Sequence, residues 1–125
     1  MNNPYEISTL SSEQTYNMIN DEIKKYTQLR SLYLQYNSSI TDEGISGLRN
    51  LEQLDLSYSS TLTINGLKSL PNLTYLNLKS NREESFTIEA LNSLPSLKHV
   101  YTDSKRLILR EGYLCNGKYE IHMAM

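Results

Sequence analysis

The sequence predicts an α/β solenoid, in which parallel strands line one side and short helices line the other. Three observations predict this fold: leucine occupies twenty of the 125 positions, leucine-rich blocks recur at a fixed spacing, and each block is followed by apolar residues at helical spacing. Domains usually contain ~100–200 residues. We therefore expect residues 1–125 to form one domain, with an N-terminal cap at 1–27, repeats at 28–104 and a C-terminal cap at 105–125.

The strands are predicted by the leucine blocks. Each block follows the pattern L-x-x-L-x-L, and the blocks begin at Leu29, Leu51 and Leu73. Successive blocks start 22 residues apart. A fourth, degenerate block begins at Leu97, where Thr102 takes the third apolar position. Because alternating apolar residues bury one face of a strand, the blocks predict about four short parallel strands.

The helices are predicted by the segments between the blocks. Apolar residues three positions apart, such as Ile45 with Leu48, have the spacing of a helical turn. A threonine stands at the expected N-cap position of each unit, at Thr41, Thr63 and Thr87. One strand and one helix cannot bury their apolar edge alone, so the units have to stack on one another with the helices on the convex side.

The repeats resemble the leucine-rich-repeat family over Gln28 to Ser104, about three fifths of the chain. The segment Ile40–Ile45, which reads ITDEGI, is most similar to the cysteine-containing subclass found in F-box ubiquitin-ligase adaptors. Asn37, Ser59 and Asn81 stand where that subclass has cysteine. The resemblance implies a curved solenoid whose concave strand face binds proteins. It also implies that the two asparagines tie the turns after the strands to neighbouring backbone groups, with a weaker tie at Ser59.

The N-terminal segment predicts a helical cap. Ser11 and Gln14 match a capping box. An apolar stripe predicts a helix from about Ser12 to Tyr26, formed by Tyr16, Ile19, Ile23 and Tyr26. The preceding residues, Ile7 to Leu10, could add a partial strand. The cap would cover the first repeat with one face and meet water with the other.

The C-terminal segment predicts a β-rich cap. Arg106 to Met123 contains two apolar-rich stretches separated by Asn116-Gly117. Since Asn-Gly favours tight hairpin turns, we expect short strands or a hairpin that covers the last repeat.

The candidate site is the concave face, where strand residues that alternate with buried leucines point outward. The predicted partner-binding residues are Tyr33, Gln53, Asp55, Tyr75, Asn77, Lys79, His99, Tyr101 and Asp103. Ser31, Gln35 and Ser57 complete the same three columns. This surface is neutral, rich in hydrogen-bonding groups and partly aromatic, which is typical of protein interfaces.

Composition argues against several other classes of function. A net charge of −2 does not favour nucleic-acid binding, and no apolar run approaches the ~20 residues of a membrane span. The lone Cys115 and the absence of a secretory signal predict a reducing, cytoplasmic location. Cys115, His99 and His122 lack the spacing of metal ligands, and no phosphate-binding loop or hydrolase motif occurs.

The predicted function is therefore a non-enzymatic scaffold that binds a protein partner without a cofactor or metal. One alternative is the substrate-recognition component of a ubiquitin-ligase assembly supplied in trans. An alternative from another class is an enzyme that depends on a metal or on Cys and His residues. The sequence leaves the partner's identity and the oligomeric state open.

Overall fold

The computed structural model describes residues 3–59 and 61–103, together with the backbone of 106–108 and 115–116. The described residues form one seven-stranded sheet whose strands follow chain order. Its first five strands are β1 (Thr9–Leu10), β2 (Ser31–Tyr33), β3 (Gln53–Asp55), β4 (Tyr75–Asn77) and β5 (His99–Tyr101). These five are parallel, and β6 (Arg106–Ile108) and β7 (Cys115–Asn116) continue the sheet in antiparallel pairing. The four predicted strands are confirmed, and β1 confirms the partial strand.

A short helix follows each of the first four parallel strands. The helices are α1 (Ser12–Thr15), α2 (Asn20–Ile23), α3 (Asp42–Ile45), α4 (Ile64–Leu67) and α5 (Ile88–Asn92), and a 3-10 turn, Pro4–Glu6, precedes β1. Thr41, Thr63 and Thr87 occupy the N-cap positions as predicted. The Thr63 and Thr87 hydroxyls accept hydrogen bonds from backbone N–H groups of their helices.

The core lies between the strands and the helices. Leu32, Leu54, Leu76 and Val100 are aligned across neighbouring strands, and each is 0% exposed. Inward-facing residues of the helices, such as Ile45 and Leu67, belong to the same buried cluster. A shift of one residue in any strand would turn its leucine toward solvent, so the leucine spacing fixes the register of the sheet.

Polar side chains connect the turns of successive repeats. The Asn37 amide donates hydrogen bonds to the Thr15 and Met18 carbonyls, at 2.6 and 3.1 Å, and accepts from the Ser39 and Ile40 N–H groups. In the third repeat, Asn81 donates to the carbonyls of the second repeat in the same way.

The second repeat keeps this connection with a hydroxyl group. Ser59 is buried, and its Oγ donates to the Asn37 carbonyl at 3.0 Å. The serine makes one bond to the preceding repeat where each asparagine makes two, so the predicted weaker tie at this position agrees with the hydrogen bonds.

The N-terminal cap differs from the prediction in one respect. The prediction of a continuous helix from Ser12 to Tyr26 is wrong, because the segment contains two separate short helices, α1 and α2. The Thr15 hydroxyl donates to the Tyr33 carbonyl at 2.7 Å, which ties the end of α1 to β2. The next helix, α2, follows the N-cap residue Ile19, whose backbone is extended and whose N–H donates to the Glu22 carboxylate. The predicted capping box of Ser11 with Gln14 is confirmed.

The C-terminal strands confirm the β-rich prediction within the described residues. Asn116 lies in β7 and is paired with Leu107 of β6. Gly117 is not described, so the turn at Asn116-Gly117 stays a prediction. Residues 117–125 lie outside the described residues.

Candidate protein-binding surface

The concave face has the alignment that the sequence predicts. Ser31, Gln53, Tyr75 and His99 form one row across β2–β5, and Tyr33, Asp55, Asn77 and Tyr101 form the next row. Neighbouring strands in a sheet are ~4.8 Å apart. Side chains in one row can therefore contact the same partner group.

Aromatic residues form the centre of this face. The Tyr75 and Tyr101 ring centroids are 5.2 Å apart, with an angle of 47° between the rings. These rings, Tyr33 and His99 are all partly exposed. Burial raises the pKa of Tyr75 above its ordinary value, and the nearby Tyr101, Asp55 and Tyr33 raise it further. The Tyr75 hydroxyl is therefore a neutral hydrogen-bonding group at physiological pH.

Two of the predicted binding residues form turns at the ends of their own strands. The Asp55 carboxylate accepts hydrogen bonds from the Ser57 N–H, at 2.9 Å, and from the Ser57 hydroxyl, at 2.6 Å. Asn77 accepts from the Lys79 N–H at 3.0 Å. Asp55 is 9% exposed and Ser57 is 1% exposed, so these two side chains offer little surface to a partner.

Three of the predicted residues are polar or charged and well exposed. Gln53, Lys79 and Asp103 are exposed. The Asp103 carboxylate accepts a hydrogen bond from the Ser80 N–H at 2.5 Å, which connects the last repeat to the preceding turn. The Lys79 and Gln53 side chains are therefore accessible to a partner.

A second group of aromatic residues lies beside the concave face, in the turns that follow β2 and β3. Tyr36 and Tyr58 are stacked, with ring centroids 5.0 Å apart and an interplanar angle of 15°. They are 59% and 50% exposed. Both residues have a left-handed backbone, with φ of 63° and 58°, and Ser80 has φ of 54° at the same place in the next turn. Each non-glycine residue in this conformation costs ~1–2 kcal/mol.

Comparison with known proteins agrees with this architecture. A family model described as leucine rich repeat matches residues 27–82. The chain folds as a leucine-rich-repeat solenoid. A chain in the crystal structure of the Rad7 and Elc1 complex in yeast has a similar fold, with a TM-score of 0.57 and 22% sequence identity. The match covers 88% of the present chain and 32% of that one, so the solenoid spans about a third of its length. A search of curated protein sequences gave no significant match.

The solenoid's described residues include no helix long and apolar enough to cross a membrane. The same residues contain no group of three or more His, Cys, Asp and Glu side chains that could hold a metal ion. His99 lies on the concave face, whereas the Cys115 and His122 side chains lie outside the described residues. The described groups that converge on this face are phenol rings, an imidazole and amides, which suit binding.

Alternation along the strands does not predict the Tyr36 and Tyr58 pair, although the sequence contains a signal for it. The two tyrosines are 22 residues apart, and each precedes the Asn37 or Ser59 position of the repeat. Equivalent positions of a stacked solenoid lie side by side. Identical side chains at equivalent positions therefore predict contact, which alternation along a single strand does not reveal.

Proposed function

We propose that the solenoid is a non-enzymatic scaffold that binds a protein partner on its concave face. The Tyr75 and Tyr101 ring pair supports this proposal most directly. Paired aromatic rings that are partly exposed and centrally placed are the type of group that provides most of the binding energy in protein interfaces. The proposed contact residues around the pair are Tyr33, Gln53, Asn77, Lys79 and His99, with Asp103 at the rim and Asp55 as a support beneath the surface.

The polar groups of this face complement the rings. The neutral Tyr75 hydroxyl, the His99 imidazole and the Asn77 amide supply donors and acceptors at low charge. Interfaces typically contain about one hydrogen bond per 100–200 Å². A partner surface that combines apolar side chains with free backbone or amide groups would satisfy both kinds of contact.

The test is affinity purification from the native cell, with captured proteins quantified by mass spectrometry. Replacement of both rings, Tyr75→Ala with Tyr101→Ala, should weaken binding of a specifically captured protein by at least about tenfold, since aromatic anchors usually contribute 2 kcal/mol or more. Both residues are partly exposed, so the melting temperature should change little.

A matched control exchanges charges on the helical side. Lys68 and Glu89 are exposed, and Lys68→Glu with Glu89→Lys leaves the net charge unchanged. This variant should capture the same protein as the wild type. Loss of capture in the control, with normal capture by the tyrosine variant, would assign binding to the helical side and refute the proposal.

A second candidate function is the substrate-recognition component of a ubiquitin ligase assembled in trans. The segment Ile40–Ile45 favours it, because ITDEGI is similar to the cysteine-containing subclass. Stoichiometric recovery of a cullin or its adaptor with the wild-type chain would support this candidate. Recovery of a concave-face partner without a cullin or its adaptor would instead support the first proposal, a simple binding scaffold.

A further inference from the structure

The turns after β2, β3 and β4 form a continuous edge of the solenoid, separate from the concave face. Tyr36, Tyr58 and Ser80 occupy equivalent positions in these turns, 22 residues apart. All three have the same left-handed backbone. Asparagine and glycine adopt this conformation more readily than tyrosine. Two tyrosines are thus held in an unfavourable backbone conformation, with about half of their surface in solvent.

The stack of rings stops where the third ring would lie. Because the Tyr36 and Tyr58 rings are nearly parallel and 5.0 Å apart, their spacing matches the ~4.8 Å between strands. The next position along the same direction belongs to Ser80, whose side chain has no ring. An open pocket of about 440 Å³ lies there, lined by Tyr36, Tyr58, Ser59, Ser80 and Arg82. The ring stack therefore borders an open space that can hold a planar group from outside.

The charged group of this pocket is Arg82. It is exposed, and no ion pair within the described part of the chain involves it. A carboxylate beside a stacked ring could pair with its guanidinium group. Three acids flank this edge: Glu83 and Glu84 follow Arg82 in the sequence, and Asp103 accepts a hydrogen bond from the Ser80 N–H. A protein partner with a single carboxylate suits these surroundings better than a nucleic acid with its repeated phosphates.

We propose that this edge is a second binding site, which takes an aromatic side chain of a protein segment as the third ring of the stack. The residue next to that aromatic group is acidic, and its carboxylate pairs with Arg82. The site uses different residues from the concave face, so either proposal can fail without affecting the other.

The test is an NMR titration of the ¹⁵N-labelled full chain with the peptide acetyl-Ser-Gly-Trp-Glu-Gly-Ser-amide. Titration should shift the amide signals of Tyr36, Tyr58, Ser80 and Arg82, while the Tyr75 and Tyr101 signals stay in place. Two control peptides have Leu in place of Trp or Gln in place of Glu. The Leu peptide should bind about fivefold more weakly or not at all, as expected for loss of an aromatic pair.

Protein variants separate the two parts of the site. Tyr58→Asn removes the ring and introduces a residue that tolerates the left-handed backbone, so the chain should remain folded. Its affinity for the Trp-Glu peptide should be about fivefold lower. Ser80→Tyr places a third ring in the pocket and should block the peptide. Arg82→Gln should remove the preference for Glu over Gln. Tyr5→Ala, at an exposed tyrosine outside this edge, should bind like the wild type.

Several results would overturn the proposal. The peptide could shift only signals outside this edge, or it could bind Ser80→Tyr as well as the wild type. Either result would show that the space beside the stacked rings is not a site. Tighter binding of hexathymidylate than of the peptide, with loss in Tyr58→Asn, would assign the edge to single-stranded nucleic acid. Shifts of the same signals with protein concentration alone would assign it to a second copy of the chain.

Discussion

At the scale of single residues, Tyr75 combines a structural and a binding role. Its ring packs beside Tyr101, and its hydroxyl lies near Asp55. Burial and these neighbours disfavour the ionised phenol, which raises the pKa. In the unfolded chain the same phenol should titrate near its ordinary value of about 10. Folding is therefore linked to the protonation of this residue.

The sign of the linkage predicts the behaviour at alkaline pH. Below pH ~10 the phenol is protonated in both states, and the stability is fully present. As the pH rises from there through the folded-state pKa, the unfolded chain loses its proton first and the stability falls. Tyr75→Phe lacks this contribution, so its urea midpoint should fall less between pH 9 and pH 11 than that of the wild type.

A direct titration checks the same prediction. In ¹³C NMR of tyrosine Cζ atoms, the signal that disappears in Tyr75→Phe should titrate at higher pH than tyrosine in a short peptide. A midpoint equal to that of the peptide would contradict the raised pKa, whatever the urea midpoints show.

At the scale of elements, adjacent helical turns approach one another closely at glycine. Gly66 of α4 lies against Asp42 of α3, and a Cβ atom at this position would be 2.8 Å from the Asp42 Cγ. The Asp42 carboxylate cannot easily move away, because it accepts hydrogen bonds from the Thr63 N–H and hydroxyl, at 2.8 and 2.5 Å. Gly44 meets Asn20 in the same way one repeat earlier.

This contact predicts opposite effects for two glycine substitutions. Gly66→Ala should lower the free energy of unfolding by about 2 kcal/mol, since overpacking in a fixed environment typically costs 1–3 kcal/mol. Gly47 has no atom within 4 Å of its added Cβ. Gly47→Ala should be neutral or stabilising by up to ~1 kcal/mol. Urea unfolding of both variants is the measurement, and equal effects would show that Asp42 does not restrict the approach.

The elements also show which parts of the structure the sequence predicts. The strands and helical turns follow from leucines at fixed spacing, because burial of such a pattern allows few arrangements. Near the break between α1 and α2, the Thr15 hydroxyl donates a long-range hydrogen bond to the Tyr33 carbonyl, which local periodicity does not predict. Similarly, alternation places Asp55 on the concave face but does not predict that its carboxylate bonds to Ser57. The first bond joins distant parts of the chain, and the second joins residues two positions apart; neither follows from apolar periodicity.

At the scale of the whole molecule, one cluster of buried side chains runs through the described repeats, from Leu10 in β1 to Val100 in β5. Each repeat buries its leucines mainly against its neighbours, and about three repeats are needed for stability. The described array is only slightly longer than this minimum. We therefore expect the repeats to unfold together, with the same urea midpoint by circular dichroism and by tyrosine fluorescence.

A charge at the centre of this array should unfold all of it. Leu76 is 0% exposed and is aligned with Leu54 and Val100. An unpaired carboxylate there costs several kcal/mol, against a total stability of ~5–15 kcal/mol. Leu76→Asp should therefore lose most of its helical and strand signal at 25 °C.

The adjacent residue provides the matched control for this substitution. Asn77→Asp introduces the same charge one position along the strand, where the side chain is partly exposed and its oxygen can still accept from the Lys79 N–H. Asp55 already fills the equivalent position of the preceding repeat. The control should melt within a few degrees of the wild type. If Leu76→Asp melts there too, the register of β4 is wrong; if only part of its signal is lost, the repeats do not unfold as one unit.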